Sequence, residues 1–400
     1  MLTLKDIQKA RDRIRDSIYM TPCAHSESLS KILGCSLYLK LENLQITGSF
    51  KERGAHNKIL QLNESQRASG VIAASAGNHA QGVAHTASKL HIPATIVMPE
   101  TTPLAKIQGT QELGANIVLY GSCYDEAFER AQQLQQEHGY TLIHAFDDSE
   151  IIAGQGTIGL EILEQVPEVD IVVVPIGGGG LIAGIALAIK ETRPQALLIG
   201  VEAERMPAMK TSVKAGKVTA LRPANTIADG ISVARVGQLT LPIVQQYVSD
   251  IVTASEEETA HAIMTLLERE KTLAEGAAAV GFAALTNGHI QHIQGKKVVV
   301  LISGGNIDMT MLSRILERGM ESDGRLARIK VVVPDKPGNI AELAKVVAEQ
   351  QANILRITQN RSVSEVELGE TEVELLLEAK GWAHVELIAA AIRKQGFVLR

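Results

Sequence analysis

The stretch Lys40-Leu-Glu-Asn-Leu-Gln-Ile-Thr-Gly-Ser49-Phe50-Lys51-Glu52-Arg53-Gly54-Ala55 sets a lysine where a helix would not choose one. Ser49 with Glu52 three residues on reads as a capping box, which makes Ser49 the N-cap and puts Lys51 in the first helical turn. A cation there opposes the helix dipole. The partial positive charge, with Phe50 alongside and little water, predicts an amine whose pKa falls below the ordinary ~10.4. Such an amine is a nucleophile able to form a Schiff base. Taken alone, the same lysine also reads as a side chain snorkelling on a solvated turn.

Further segments give the lysine its context. Ser75-Ala76-Gly77-Asn78-His79-Ala80-Gln81-Gly82 follows the apolar run Val71-Ile72-Ala73-Ala74, and Gly177-Gly178-Gly179-Gly180 follows Ile171-Val-Val-Val-Pro-Ile176. Each spells a strand, a glycine-bearing turn and a helix start, the arrangement that turns backbone amides toward an anion. Ser303-Gly304-Gly305-Asn306 likewise follows an apolar run over 297–302. Together with Lys51 these motifs resemble the pyridoxal-phosphate enzymes of the tryptophan-synthase-β type, called fold type II. The spelling is similar to the threonine dehydratase branch over about residues 1–320.

The resemblance implies an α/β fold with two parallel-sheet domains, a small one over about 50–150 and a large one built from both flanks, with pyridoxal 5'-phosphate in the cleft. It implies that Lys51 is the catalytic lysine and holds the cofactor, with Phe50 beside it. Gly177, Gly178, Gly179 and Gly180 would cradle the phosphate, Asn78 would contact the pyridine hydroxyl, and Glu275 would lie beside the ring. Ser303 would face the pyridine nitrogen, where a neutral hydroxyl favours prompt expulsion of a β-leaving group. Ser75, Asn78, His79 and nearby amides would hold the substrate carboxylate. Bland readings stand beside these. Ser303 also reads as the cap of a helix starting near Asp308, Glu275 as a first-turn dipole partner, and His79 as a buried histidine without an acid/base role. Glu202, ending the strand after the glycine run, also fits a dinucleotide site, but such an enzyme has no use for Lys51 with the 75–82 loop.

Ala76 separates two outcomes. Related serine racemases carry a serine there as the proton donor on the face opposite the lysine, and alanine cannot exchange a proton. Elimination needs only one face. The same comparison predicts no divalent-metal site, because Ala208 stands where a second carboxylate beside Glu202 would be expected; a monovalent cation near Glu202 stays open.

Composition bounds the rest. With 400 residues the chain suggests two or three domains. A net charge of -6 without basic runs gives no electrostatic case for nucleic acid or an anionic membrane. Three cysteines, Cys23, Cys35 and Cys123, without CxxC spacing point to free thiols in a reducing compartment, the cytoplasm. The stretch 171–189 lacks charge and is long enough to span a bilayer, but Pro175 and four glycines interrupt it, so it reads as strand, loop and buried helix. Strands are expected over 36–41, 71–74, 94–98, 116–120, 171–174, 197–201 and 297–302, and helices over 78–90, 102–113, 124–138 and 256–270.

Arg318-Gly-Met-Glu-Ser-Asp-Gly324 reads as a polar linker. Beyond it, over 325–400, the pattern is βαββαβ, the ferredoxin-like plan. Val332-Val-Pro-Asp335-Lys-Pro337-Gly338-Asn-Ile resembles the opening turn of an ACT domain, which implies a regulatory module that binds an amino-acid effector. The whole resembles a threonine ammonia-lyase: a carbon–nitrogen lyase taking L-threonine to 2-oxobutanoate and ammonia, and L-serine to pyruvate, as a homodimer or homotetramer. A serine racemase/dehydratase and a non-catalytic amino-acid sensor are the alternatives.

Overall fold

Val71–Ala74, Ala94–Met98 and Ile171–Pro175 are buried along their whole length, as strands covered on both faces must be. Full burial of each Val or Ile side chain contributes ~1.5–3 kcal/mol, so these runs fix the layers of the fold. The computed structural model describes residues 2–361 and 366–400 and divides into two units, Met1–Ile307 and Asp308–Arg400.

The first unit holds two sheets. One has six strands in the order Cys23–His25, Ser36–Leu41, Lys297–Ile302, Ile171–Pro175, Leu197–Ala203 and Asp250–Ala254. All its neighbours are parallel except the antiparallel edge pair that Cys23–His25 makes with Ser36–Leu41, an edge the parallel-sheet expectation lacked. The other sheet is wholly parallel, in the order Asn116–Leu119, Ala94–Met98, Val71–Ala74 and Thr141–Leu142. Its strands fall within 71–142, inside the region assigned to the small domain. The sheets have separate cores, one around Val172, Val174, Ile182 and Leu301, the other around Val71, Ala73, Ile96 and Met98. Active-site loops are expected at the carboxyl ends of such strands, and the segments beginning at Ser75, Ile176 and Ser303 all sit there.

Lys51 begins a helix, Lys51–Ile59, but the expected capping box is not formed. Phe50 is the residue at the N-cap, in the helical region at φ -59°, and no side chain caps the turn. The reason is tertiary: Ser49 is drawn into a bridge with Gly304, and the Phe50 amide donates to the Ser303 carbonyl at 3.1 Å. Ser49 is fully buried with its hydroxyl unpartnered, and Glu52 accepts from His85 Nδ1 at 2.6 Å.

In the second unit the stretch 318–324 is not a linker. The helix Met309–Ser322 runs through most of it, opened by Asp308, whose Oδ1 accepts from the amides of Thr310 and Met311. Ser303 therefore does not cap that helix. The remaining strands pair antiparallel in the order Asn353–Asn360, Glu370–Glu378, Leu326–Pro334 and Val398–Leu399, with helices Asn339–Glu349 and Trp382–Lys394. This is the ferredoxin-like order. Its core gathers Val331, Leu343, Val347, Leu375 and Ile388. Among the described residues no helix is long and apolar enough to cross a membrane, and Cys23, Cys35 and Cys123 are free thiols.

Candidate active site

Lys51 Nζ donates to the carbonyl of Ala145 at 2.8 Å and lies 5.3 Å from the centre of the Phe50 ring. Burial lowers its pKa to about 8, against the pull of the Glu275 charge, which favours the cation. Desolvation, more than the helix dipole, is thus the physical source of a nucleophilic amine.

Asn78 opens the helix Asn78–Lys89 that follows the 75–77 loop. Its Nδ2 donates to Glu275 Oε1 at 2.7 Å, and its Oδ1 accepts from Asn306 Nδ2 at 2.8 Å. Glu275 occupies the N-cap position of Gly276–Thr286, yet its carboxylate does not cap that helix. It turns toward Asn78 instead. Burial, reinforced by the charge of Asp229, pushes the Glu275 pKa up to about 8, so this acid and the Lys51 amine both titrate close to neutrality. The Glu275 amide donates to the Gly304 carbonyl at 3.0 Å, which ties this pair to the Ser303 loop. Ser303 itself is 2% exposed.

The Ser75 hydroxyl accepts from the Gly77 amide at 3.2 Å. The His79 side chain is engaged by the backbone. Its Nε2 is committed to the Ile143 carbonyl at 2.8 Å, and burial lowers its pKa to about 3. Only its backbone amide, in the first turn of the helix, is left to face an anion.

The glycine run leads into the helix Gly180–Thr192. Gly179 has φ +96°, a left-handed conformation that suits glycine, and a Cβ on Gly178 would lie 2.3 Å from the Phe146 ring. The Gly178 carbonyl accepts from the Gly237 amide at 3.0 Å and from Thr240 Oγ1 at 2.7 Å. Glu202 is engaged elsewhere, accepting from the amides of Met209 and Lys210 at 2.7 and 2.8 Å where the helix Ala208–Ala215 opens. Burial pushes its pKa up to about 7. That use removes the acid on which the dinucleotide reading depended.

The segment His144-Ala-Phe-Asp-Asp148 escaped the sequence reading. It supplies the Ala145 acceptor for Lys51 and the Phe146 ring against Gly178, while Asp147 accepts from the amides of Gln238 and Leu239 at 2.9 and 2.8 Å. Thr141–Leu142 before it is a two-residue strand, too short to show periodicity. The available signal was Asp148, which caps Ser149–Gln165 and so marks a loop at a helix start.

These residues fit pyridoxal phosphate. A buried amine with a lowered pKa can hold the aldehyde carbon, a side-chain-free glycine turn at a helix start can hold the phosphate, and the buried Ser303 offers a neutral partner for a ring nitrogen.

Comparison with known proteins agrees. The profile of the family described as "Pyridoxal-phosphate dependent enzyme" matches residues 14–304. The chain is 48% identical to the L-threonine ammonia-lyase of Thermotoga maritima over 400 residues, covering 100% of this chain and 99% of that protein. Among solved structures, the processed form of threonine deaminase isoform 2 from Solanum lycopersicum superposes with a TM-score of 0.75 at 38% identity, covering 78% of this chain and 91% of that one. Maize serine racemase gives a TM-score of 0.75 at 35% identity over 80% of this chain and 98% of that one.

Proposed function

The chain belongs to the pyridoxal-phosphate dependent enzyme family, and we propose that it is a threonine ammonia-lyase, converting L-threonine to 2-oxobutanoate and ammonia and L-serine, more slowly, to pyruvate. The observation that carries this reading is the convergence of the desolvated Lys51 amine with the Asn78–Glu275 pair at the strand ends that bear the glycine run and Ser303. Bound pyridoxal phosphate would supply an electron sink for the electrons released at the substrate α-carbon. Lys51 would hold it until the substrate amine displaces the lysine, and the freed amine would then remove the α-proton. Ser75, Asn78 and the first amides of the Asn78 helix would bind the substrate carboxylate, and the α-proton taken up by Lys51 balances the hydroxide lost from the β-carbon, so that one water leaves. The resulting enamine hydrolyses to the oxo acid and ammonia. Ser303 would offer a neutral hydrogen-bond partner to the ring nitrogen, and Glu275 orients Asn78. Oxo-acid formation from L-threonine and L-serine by the purified protein tests the reading; absence of product from both overturns it.

Ala76 favours elimination over racemisation, since alanine at this position offers no hydroxyl to exchange a proton. The wild type is expected to yield little D-amino acid, and Ala76→Ser to gain some racemisation. Chiral chromatography of recovered serine measures both, and substantial D-serine from the wild type would contradict the assignment.

The C-terminal unit, by its ferredoxin-like order and its Asp335–Gly338 turn, is assigned to sensing an amino acid, with the 335–339 turn as contact. Asp335 already accepts from Arg361 Nε at 2.7 Å, a pair that a ligand at this turn would have to accommodate. Removal of residues 308–400 is expected to leave a yellow, active lyase whose rate no longer responds to branched-chain amino acids. The usual coupling of ~1–3 kcal/mol, roughly 5–150-fold in affinity, sets the size of the response that should vanish. A truncated protein that binds the cofactor but does not turn over threonine would make the unit part of the catalytic machinery. The reading also assigns a cytoplasmic homodimer or homotetramer.

A further inference from the structure

Behind the Lys51 helix lie four charged side chains that the chemistry above does not use. Lys40, Glu42 and Arg53 are 0–1% exposed and Glu161 is 8% exposed. Arg53 donates to both oxygens of Glu42, at 2.7 and 2.8 Å, and to both oxygens of Glu161, at 2.5 and 2.9 Å. Lys40 Nζ completes the group with bonds to Glu161 Oε2 at 2.6 Å and the Thr21 carbonyl at 2.7 Å. Two cations and two carboxylates make the cluster neutral, but burying four charges is a poor route to stability compared with apolar packing. Its geometry offers another use.

Arg53 sits two residues after Lys51, about 200° around the helix at 3.6 residues per turn, so the two side chains leave opposite faces. The helix between them crosses two neighbours at close backbone contact. A Cβ on Gly154 would lie 2.6 Å from the Gly54 Cα, and one on Gly82 would lie 3.1 Å from the Glu52 amide nitrogen. Single side-chain bonds, between Glu52 and His85 at 2.6 Å, between His56 and Thr86 at 3.0 Å and from Asn57 to the Glu150 carbonyl at 2.7 Å, each oppose rotation about the helix axis at one point. Arg53, forked on one side to the end of the Ser36–Leu41 strand and on the other to the Ser149–Gln165 helix, resists it. A rotation of ~10° would carry an amine ~8 Å from the axis through ~1.4 Å, and a ~1 Å misplacement can cost about 10²-fold in rate.

We propose that Arg53 is a positioning residue for Lys51: clamped between Glu42 and Glu161, it fixes the rotation of the Lys51–Ile59 helix and so the direction of the catalytic amine. This rests on Lys51 being the reacting amine.

Arg53→Lys keeps the charge and gives up both forks. In the holoenzyme it is expected to lower kcat by 10–100-fold with KM within threefold, to raise the dissociation constant for pyridoxal phosphate at least tenfold, and to shift the pH midpoint of the cofactor's visible band. Glu161→Gln, which weakens one fork at the more exposed edge, should show the same pattern at reduced size and serves if Arg53→Lys does not fold. A variant with a lowered melting temperature but wild-type kcat per bound cofactor and a wild-type visible pH profile would show that the cluster only stabilises the fold, and would overturn the proposal. An active Lys51→Ala protein would instead remove the reading of Lys51 itself, so the two failures are distinguishable.

Discussion

Lys51→Ala is expected to abolish turnover, with a loss of at least roughly 10³-fold in kcat, because one amine both holds the cofactor and moves the α-proton. The fold should survive. Among the described residues the Lys51 amine makes a single hydrogen bond, to the Ala145 carbonyl, and it is desolvated, so removal relieves a burial cost as well as losing a contact. Circular dichroism and thermal unfolding should therefore match the wild type. Mass spectrometry after borohydride reduction of the wild type should find the cofactor mass on the peptide bearing Lys51. Modification of a different lysine, or a mutant retaining more than a tenth of wild-type turnover, would remove Lys51 from the mechanism.

The second large effect concerns the turn that would hold the phosphate. Gly178→Ala places a methyl group 2.3 Å from the Phe146 ring, well inside any tolerated carbon–carbon contact, so the ring or the turn must move. Overpacking of this kind costs about 1–3 kcal/mol. If the turn moves, its amides lose their aim at the phosphate, and the dissociation constant for pyridoxal phosphate should rise about 10–100-fold. Because Phe146 is the obstacle, Phe146→Ala in the same chain should restore much of the affinity, a non-additivity expected only for residues in contact. Spectroscopic titration with the cofactor measures all three proteins. Additive losses in the double mutant would place the fault elsewhere than in this contact.

The Lys51 reading shows how local and tertiary causes divide. The lysine was legible as a misfit in the first turn of a helix, and the helix does begin at Lys51. The capping box that located it does not form, because the bridge between Ser49 and Gly304 claims the backbone before the hydroxyl can cap. The lowered pKa was expected from a helix terminus together with Phe50 and scarce water, and of these burial is the chief cause. Glu275 was ambiguous in sequence, since an N-cap acid and a partner of Asn78 are spelled alike. Only the fold brings residues 197 positions apart to 2.7 Å.

The sequence by itself determined the elements and their order. Continuous Val and Ile runs require strands buried on both faces, glycine turns after them require anion-facing loops, and the βαββαβ pattern of the last 75 or so residues requires a separate ferredoxin-like unit. These are short-range constraints, so a linear reading reaches them. Tertiary structure alone decided which loops meet. It set the Ala145 carbonyl under the Lys51 amine, the Phe146 ring against Gly178 and the two forks on Arg53, in each case through contacts between residues at least 11 and up to 108 positions apart. It also turned Glu202 toward the start of a neighbouring helix and His79 toward the Ile143 carbonyl. The physical reason is that hydrogen-bond partners and desolvation depend on what packing brings within about 3 Å, and packing partners carry no mark in the local sequence.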